Sequence, residues 1–147
     1  MLKTFALLVA FLPALAIAQE IEKDLKPFTR VIASPRVNVI LQKGTQESIR
    51  LTYDNVTPDK INIDVTGKTL RIYLDQAKKV ERTHPRRDGQ RESIYKDVTI
   101  NAYVTYRDLE ALEIRGNQEL TCKDPIEADA FTLRAYGENE IRFSSLR

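Results

Sequence analysis

LEIRGNQELTC, Leu112 to Cys122, is followed 21 residues later by LRAYGENEIRF, Leu133 to Phe143. Leu112 matches Leu133, Gly116 matches Gly137, Glu119 matches Glu140 and Leu120 matches Ile141. A fixed period in the twenties is the mark of stacked β-solenoid rungs, each covering the apolar side of the next. In the first copy Leu112 and Ile114 should point inward, Gly116-Asn117 should turn the chain, and Leu120 and Cys122 should point inward again. In the second copy Leu133, Ala135, Gly137, Ile141 and Phe143 repeat the scheme. Glycine suits the turn because it takes φ > 0 without a Cβ clash, and Asn117 is among the few other residues that tolerate that region. Ile126, Ala128 and Phe131 would supply the wall between the copies. The echo predicts Leu112 over Leu133 and Leu120 over Ile141 on adjacent parallel strands. It describes a shape and carries no reaction.

Arg147 stands four residues after Phe143, the end of the second copy. A solenoid end exposes unpaired backbone and needs a cover. The expectation is that the N-terminal strands cover it, that a second subunit does so in a homo-oligomer, or that the chain is a shortened form of a longer architecture.

Outward from the echo, almost every segment after Phe28 alternates with period two. Val37, Val39 and Leu41 alternate with Asn38, Ile40 and Gln42, and Ile49, Leu51 and Tyr53 with Arg50 and Thr52. Ile61, Ile63 and Val65 run to Thr66-Gly67-Lys68, after which Leu70, Ile72 and Leu74 resume, which reads as a hairpin. Val98, Ile100, Ala102, Val104 and Tyr106 make the longest clean alternation. Such a pattern puts one face on a core and the other in water. Lys43-Gly44-Thr45 and Asn55 to Asp59 read as turns. No segment carries a helical stripe. The prediction is a single all-β domain of roughly nine to eleven strands, with β-solenoid-like (parallel β-helix type) rungs in the C-terminal third and antiparallel hairpins before it.

The first 18 residues read as a secretory signal peptide: Lys3 at the start, an apolar run from Phe5 to Leu15, and small residues at both ends of Ala16-Ile17-Ala18. Gln19 is then the mature N-terminus and 19–147 the domain. The apolar run falls short of the ~20 residues needed to span a bilayer, so no transmembrane segment is expected after cleavage. The residue directly after the cleavage site is Gln19, not a cysteine that could carry a lipid. Without Lys3 the balance is 22 basic to 21 acidic residues, which argues against nucleic acid as a partner. Cys122 is the only cysteine, so no intrachain disulfide can form.

Candidates for chemistry are few. His84 is the only histidine, and with Cys122 it cannot supply a zinc site or support a Ser-His-Asp triad. Cys122 shares its phase with Phe143 and reads as a small buried hydrophobe. Glu119 and Glu140, one rung apart at the same phase, would stack about 5 Å apart on paired strands. Such a pair could in principle serve a glycosidase, but a stacked like-charge pair reads more simply as a solvated column. Tyr95, Tyr103 and Tyr106 are too few for a sugar platform, with Tyr103 expected outward. No cofactor or metal is implied. One stretch has a functional flavour. Lys78 to Lys96 holds seven basic residues against Glu81, Asp88 and Glu92. Long loops without an apolar pattern are functional or disordered, and clustered arginines suit phosphates or uronates. Arg82, Arg86, Arg87 and Arg91 are the candidate anion-binding residues, set against the plainer reading of a solvated hairpin extension. No aromatic lies between Ala77 and Ile94, which disfavours a base-stacking surface.

The segments PFTRVIASPRVNVILQKGTQESIRLTYD, INIDVTGKTLRIYL, VTINAYVTYRDLEALEIRGNQEL and IEADAFTLRAYGENEI, in that order, resemble the head GIN domain family, the heads assigned to auto-transporter adhesins of Gram-negative bacteria. The resemblance covers roughly Phe28 to Leu146 and is most specific in TGKTLRI, TYRDLEALEIRGNQEL and GENEI. It implies strands in a solenoid-like arrangement and a location in the periplasm or at the cell surface. The chain departs from the family pattern in having fewer rungs and a longer, more basic Ala77–Lys96 segment. The functional expectation is an exported, non-enzymatic envelope protein acting by surface binding, in adhesion or envelope assembly, with an envelope glycan or protein as partner. The alternatives are a glycan-processing enzyme on a β-helix scaffold and a periplasmic scaffold or sensory partner of a membrane protein.

Overall fold

Alternation turns into sheet wherever the sequence carries it. The computed structural model describes residues 19–146, so the predicted signal segment lies outside the described residues. Thirteen strands follow one another: β1 Gln19–Asp24, β2 Arg30–Ala33, β3 Val37–Lys43, β4 Ser48–Asp54, β5 Ile61–Thr66, β6 Thr69–Leu74, β7 Thr83–Pro85, β8 Arg91–Ser93, β9 Thr99–Tyr106, β10 Ala111–Arg115, β11 Glu119–Cys122, β12 Thr132–Tyr136 and β13 Glu140–Phe143. A single 3-10 turn, Pro58–Lys60, interrupts them. Four strands escape the period-two reading. β1 (QEIEKD) has a single apolar residue and so no apolar alternation, β2 is short, and β7 and β8 have three residues each.

The domain is all-β, with mixed sheets. A six-stranded sheet runs β1-β4-β9-β3-β11-β13 and a five-stranded sheet β12-β10-β2-β6-β5, while β7 and β8 pair separately. The echo pairs as predicted. Leu112 lies beside Leu133 on parallel β10 and β12, and Leu120 beside Ile141 on parallel β11 and β13. The hairpin Ile61–Leu74 also forms, turning at Gly67, whose φ is 59°.

Parallel pairing is not confined to the C-terminal third, which corrects the expectation of hairpins alone before it. β2 and β3 stack on β10 and β11, with Val31 beside Leu112, Ala33 beside Ile114, Val39 beside Leu120 and Leu41 beside Cys122. Arg30–Lys43 is therefore a third two-strand unit at the same phase. β6 and β9 continue the parallel stack beyond it. The consecutive β3 and β4 do not pair, because β9 lies between them. Within the two large sheets only the margins are antiparallel: β5 on β6, β4 on β9 and β1 on β4.

The core fills the space between the sheets with Leu41, Leu51, Leu70, Ile72, Ile100 and Leu120, all fully buried, and their neighbours. Burial of this kind contributes about 25 cal/mol per Å² of apolar surface removed from water. The last unit departs from the expectation. Leu133 and Ala135 occupy the inward phase, yet both are exposed. The cause is position, since β12 is a sheet edge and nothing among the described residues covers it. One level in, Leu112 and Ile114 are buried. The turns also need a correction. Gly116 and Gly137 take the positive φ values, 101° and 96°, whereas Asn117 does not enter that region. Asn117 serves instead through its side-chain oxygen, which accepts from the Glu138 backbone N–H at 3.2 Å.

Candidate functional site

Lys78–Lys96 lacks an apolar stripe, so its backbone must find order elsewhere. It does so as an antiparallel hairpin, with Thr83 opposite Ser93, His84 opposite Glu92 and Pro85 opposite Arg91. At the tip Arg86 N–H donates to the Gln90 carbonyl at 2.8 Å, and Gly89 takes φ 80°. The base is clamped to the domain. Ser34 Oγ donates to the Lys78 carbonyl at 2.6 Å. Arg36 Nε and Nη2 donate to the Glu81 carboxylate at 2.6 and 3.2 Å, and Arg36 Nη1 donates to the Lys96 carbonyl at 3.0 Å. One guanidinium thus holds both ends of the hairpin. Ser93 Oγ also donates to Glu81, and Tyr95 OH donates to the Asp75 carbonyl at 2.8 Å.

The four predicted arginines share the hairpin but do not converge. Arg82 donates to the Gln76 side chain. Arg86 sits 3.6 Å from Asp88 and 3.7 Å from Glu92. Arg91 Nε donates to Thr83 Oγ1 at 2.8 Å, on the side of the ladder away from His84 and Glu92. Arg87 is exposed at the tip, with no hydrogen-bond or ion-pair partner among the described residues. Glu92 collects Lys96 at 3.0 Å, His84 at 3.7 Å and Arg86. Its hydrogen bond from Lys96, reinforced by these charges, lowers its pKa, and the same bond raises that of Lys96.

Beside the base lies a groove of about 490 Å³ between Lys79–Glu81 and the turns at Gly116 and Gly137. Arg36, Lys79 and Arg115 line it, with Tyr136 and Val80, which is 77% exposed. Arg115 stands over the Tyr136 ring at 4.9 Å and is ion-paired with Glu113. Gln118 is buried there. Its Nε2 donates to the Ser34 carbonyl at 3.0 Å, while its Oε1 has no partner. Sequence reading missed Arg36 and Gln118. A non-glycine residue at φ 74° leaves no local signal, and the partners of both side chains lie far away along the chain.

The other candidates fall apart chemically. Glu119 and Glu140 are paired neighbours on β11 and β13, both exposed, and Arg142 holds Glu140. Cys122 is buried, with the Tyr106 hydroxyl 3.7 Å from its sulfur. Tyr103 faces outward under Arg50, whose guanidinium lies 4.1 Å from the ring centroid. A wider cleft of about 1050 Å³ opens between Tyr53–Lys60 and Ile94–Thr99. Among the described residues no group of three or more His, Cys, Asp or Glu could hold a metal ion, and no helix is long and apolar enough to cross a membrane.

Comparison with known proteins bears on the whole of this scaffold. The family described as "Putative auto-transporter adhesin, head GIN domain" matches residues 27–147. None of the curated proteins compared matches the chain. Among solved structures, a "putative adhesin" from Bacteroides fragilis aligns with a TM-score of 0.65 at 17% identity, over 89% of this chain and 55% of its own. One from Parabacteroides merdae aligns with a TM-score of 0.62 at 13% identity, over 87% and 53%. A "putative lipid binding protein" from Parabacteroides distasonis aligns with a TM-score of 0.61 at 12% identity, over 90% and 60%. These likenesses concern the fold, and the chain spans little more than half the length of these relatives.

Proposed function

The chain belongs to the head GIN domain family, and from that premise we propose that it is an exported, non-enzymatic envelope protein of a Gram-negative bacterium that acts by surface binding. The binding element is the basic hairpin, which contacts an anionic envelope polymer through Arg82, Arg86, Arg87 and Arg91. The parallel two-strand units serve as solenoid-like rungs that hold this hairpin out from the domain. The observation that carries the reading is the combination of anchoring and charge. Arg36 and Ser34 pin the hairpin base, while residues 78–96 carry seven basic groups to three acidic ones. An exposed cation on a braced element loses less freedom on binding than one on a loose loop. Glu119 and Glu140 are both exposed and Arg142 is ion-paired with Glu140, which favours a solvated charge column over a catalytic pair.

The test uses the full chain as exported by its host and immobilised polygalacturonate, a uronate polymer. Retention should fall steeply with added salt, because exposed charge contacts are screened within about 8–10 Å at physiological ionic strength. The quadruple variant Arg82→Ser, Arg86→Ser, Arg87→Ser, Arg91→Ser should lose retention. Its melting temperature should change little, since no apolar side chain is removed and exposed ion pairs contribute at most about 1 kcal/mol. Unchanged retention of that variant at low salt overturns the proposal.

A further inference from the structure

We propose that the last two-strand unit is a self-association surface. It pairs with the same unit of a second copy of this chain, antiparallel, about a twofold axis through Ile141 and Ala135. This inference is independent of the hairpin. Among the described residues β12 ends one sheet and β13 ends the other, so the unit presents two strand edges at once. It also carries exposed apolar groups, with Leu133 39% and Tyr136 50% exposed. Phe131, Ile141 and Phe143 are only partly buried behind them. Proteins blunt such edges with short strands, charged side chains, proline, inward charges or a cover; β12 and β13 are short and charged on the outward face, which leaves the apolar inward face as the open part. TLRAY and EIRF contain no proline, and their charges lie at the outward phase.

The charge pattern selects the occupant. Reversed about Ile141, Glu140-Ile141-Arg142 is its own complement. Glu140 meets Arg142 of the copy, Arg142 meets its Glu140, and Ile141 meets Ile141. Reversed about Ala135, Arg134-Ala135-Tyr136 sets a guanidinium against a phenol ring. Arg115 and Tyr136 already make that pairing within the chain, at 4.9 Å. Ala135 and Ile141 stand three residues to either side of Glu138 in the turn, and a single twofold axis is proposed to serve both edges. Parallel in-register pairing would instead set Glu140 on Glu140 and Arg134 on Arg134. Self-complementary pairing about a twofold is how symmetric dimers form, and opposite charges directly across strands favour a register where like charges oppose it.

Sedimentation equilibrium of the full exported chain tests this. The wild type should be dimeric. Glu140→Arg and Arg142→Glu should each weaken the dimer roughly tenfold or more, as two attractive cross-strand pairs become repulsive. An equimolar mixture of the two variants should dimerise again, because every cross-strand pair is then opposite in sign. That recovery cannot come from the Glu140–Arg142 pair inside each chain. Both side chains are exposed, 56% and 61%, so both variants should fold, as circular dichroism would check. Oxidised Ile141→Cys should form a 141–141 disulfide, since directly opposed strand positions fall within disulfide reach. A monomeric wild type, a dimer indifferent to both charge reversals, or no 141–141 link would each overturn the proposal.

Discussion

Tyr106 and Cys122 meet inside the core, and the chemistry of each depends on that meeting. Burial pushes the Tyr106 hydroxyl above its ordinary pKa of 10.0, and contact with Cys122 adds to the effect. Burial likewise raises the Cys122 thiol above 9.0, partly offset by the hydrogen bond from Tyr106. Both native groups hold their protons more tightly than the unfolded chain does. Their contribution to stability is therefore fully present below about pH 9 and is lost as pH rises past the unfolded values and through the higher native ones. The melting temperature should hold from neutrality to about pH 9 and then fall, and Tyr106→Phe should make that fall shallower. Thermal melts across roughly pH 7 to 11 would show it, and identical alkaline slopes would refute it. The inward place of Cys122 is legible in the sequence from its phase in the echo. Its partner is not, because Tyr106 belongs to β9, two strands away in the same sheet.

At the scale of elements, the turns explain why the units stack so closely. A Cβ on Gly137 would collide with the Gly116 carbonyl oxygen and approach Asn117 Oδ1 to 3.2 Å, at φ 96°. Gly67 also has positive φ, 59°, but open space around its missing Cβ. Gly137→Ala should therefore cost about 2–3 kcal/mol, and Gly67→Ala only about 1, the conformational part alone. Urea titrations of the two variants measure the difference, and equal losses would mean that the stacked turn adds nothing. The basic hairpin shows the reverse balance between sequence and fold. Its charge is plain in the sequence, but its order comes from Ser34 and Arg36 between β2 and β3 and from Asp75 just after β6. No local periodicity announces those contacts.

At the scale of the whole molecule, β1 pairs along its length with β4, and the start of the exported chain is a matter for the Ala16-Ile17-Ala18 motif alone. The exported protein should begin at Gln19, and mass spectrometry of the native chain should find that mass. An intact Met1 on exported protein would contradict it. Alternation, the glycine turns and the 21-residue echo were enough, without coordinates, to determine an all-β chain, most strand positions and the register of β10 on β12 and β11 on β13. They sufficed because side-chain parity and turn conformation are local properties, and a repeat in phase buries the same face twice. Tertiary structure alone decided that β9 separates β3 from β4, that Arg30–Lys43 joins the stack, and that Leu133 is left uncovered. Those outcomes depend on which of several compatible edges meet across long stretches of chain, a competition of burial and hydrogen bonding that no local pattern encodes.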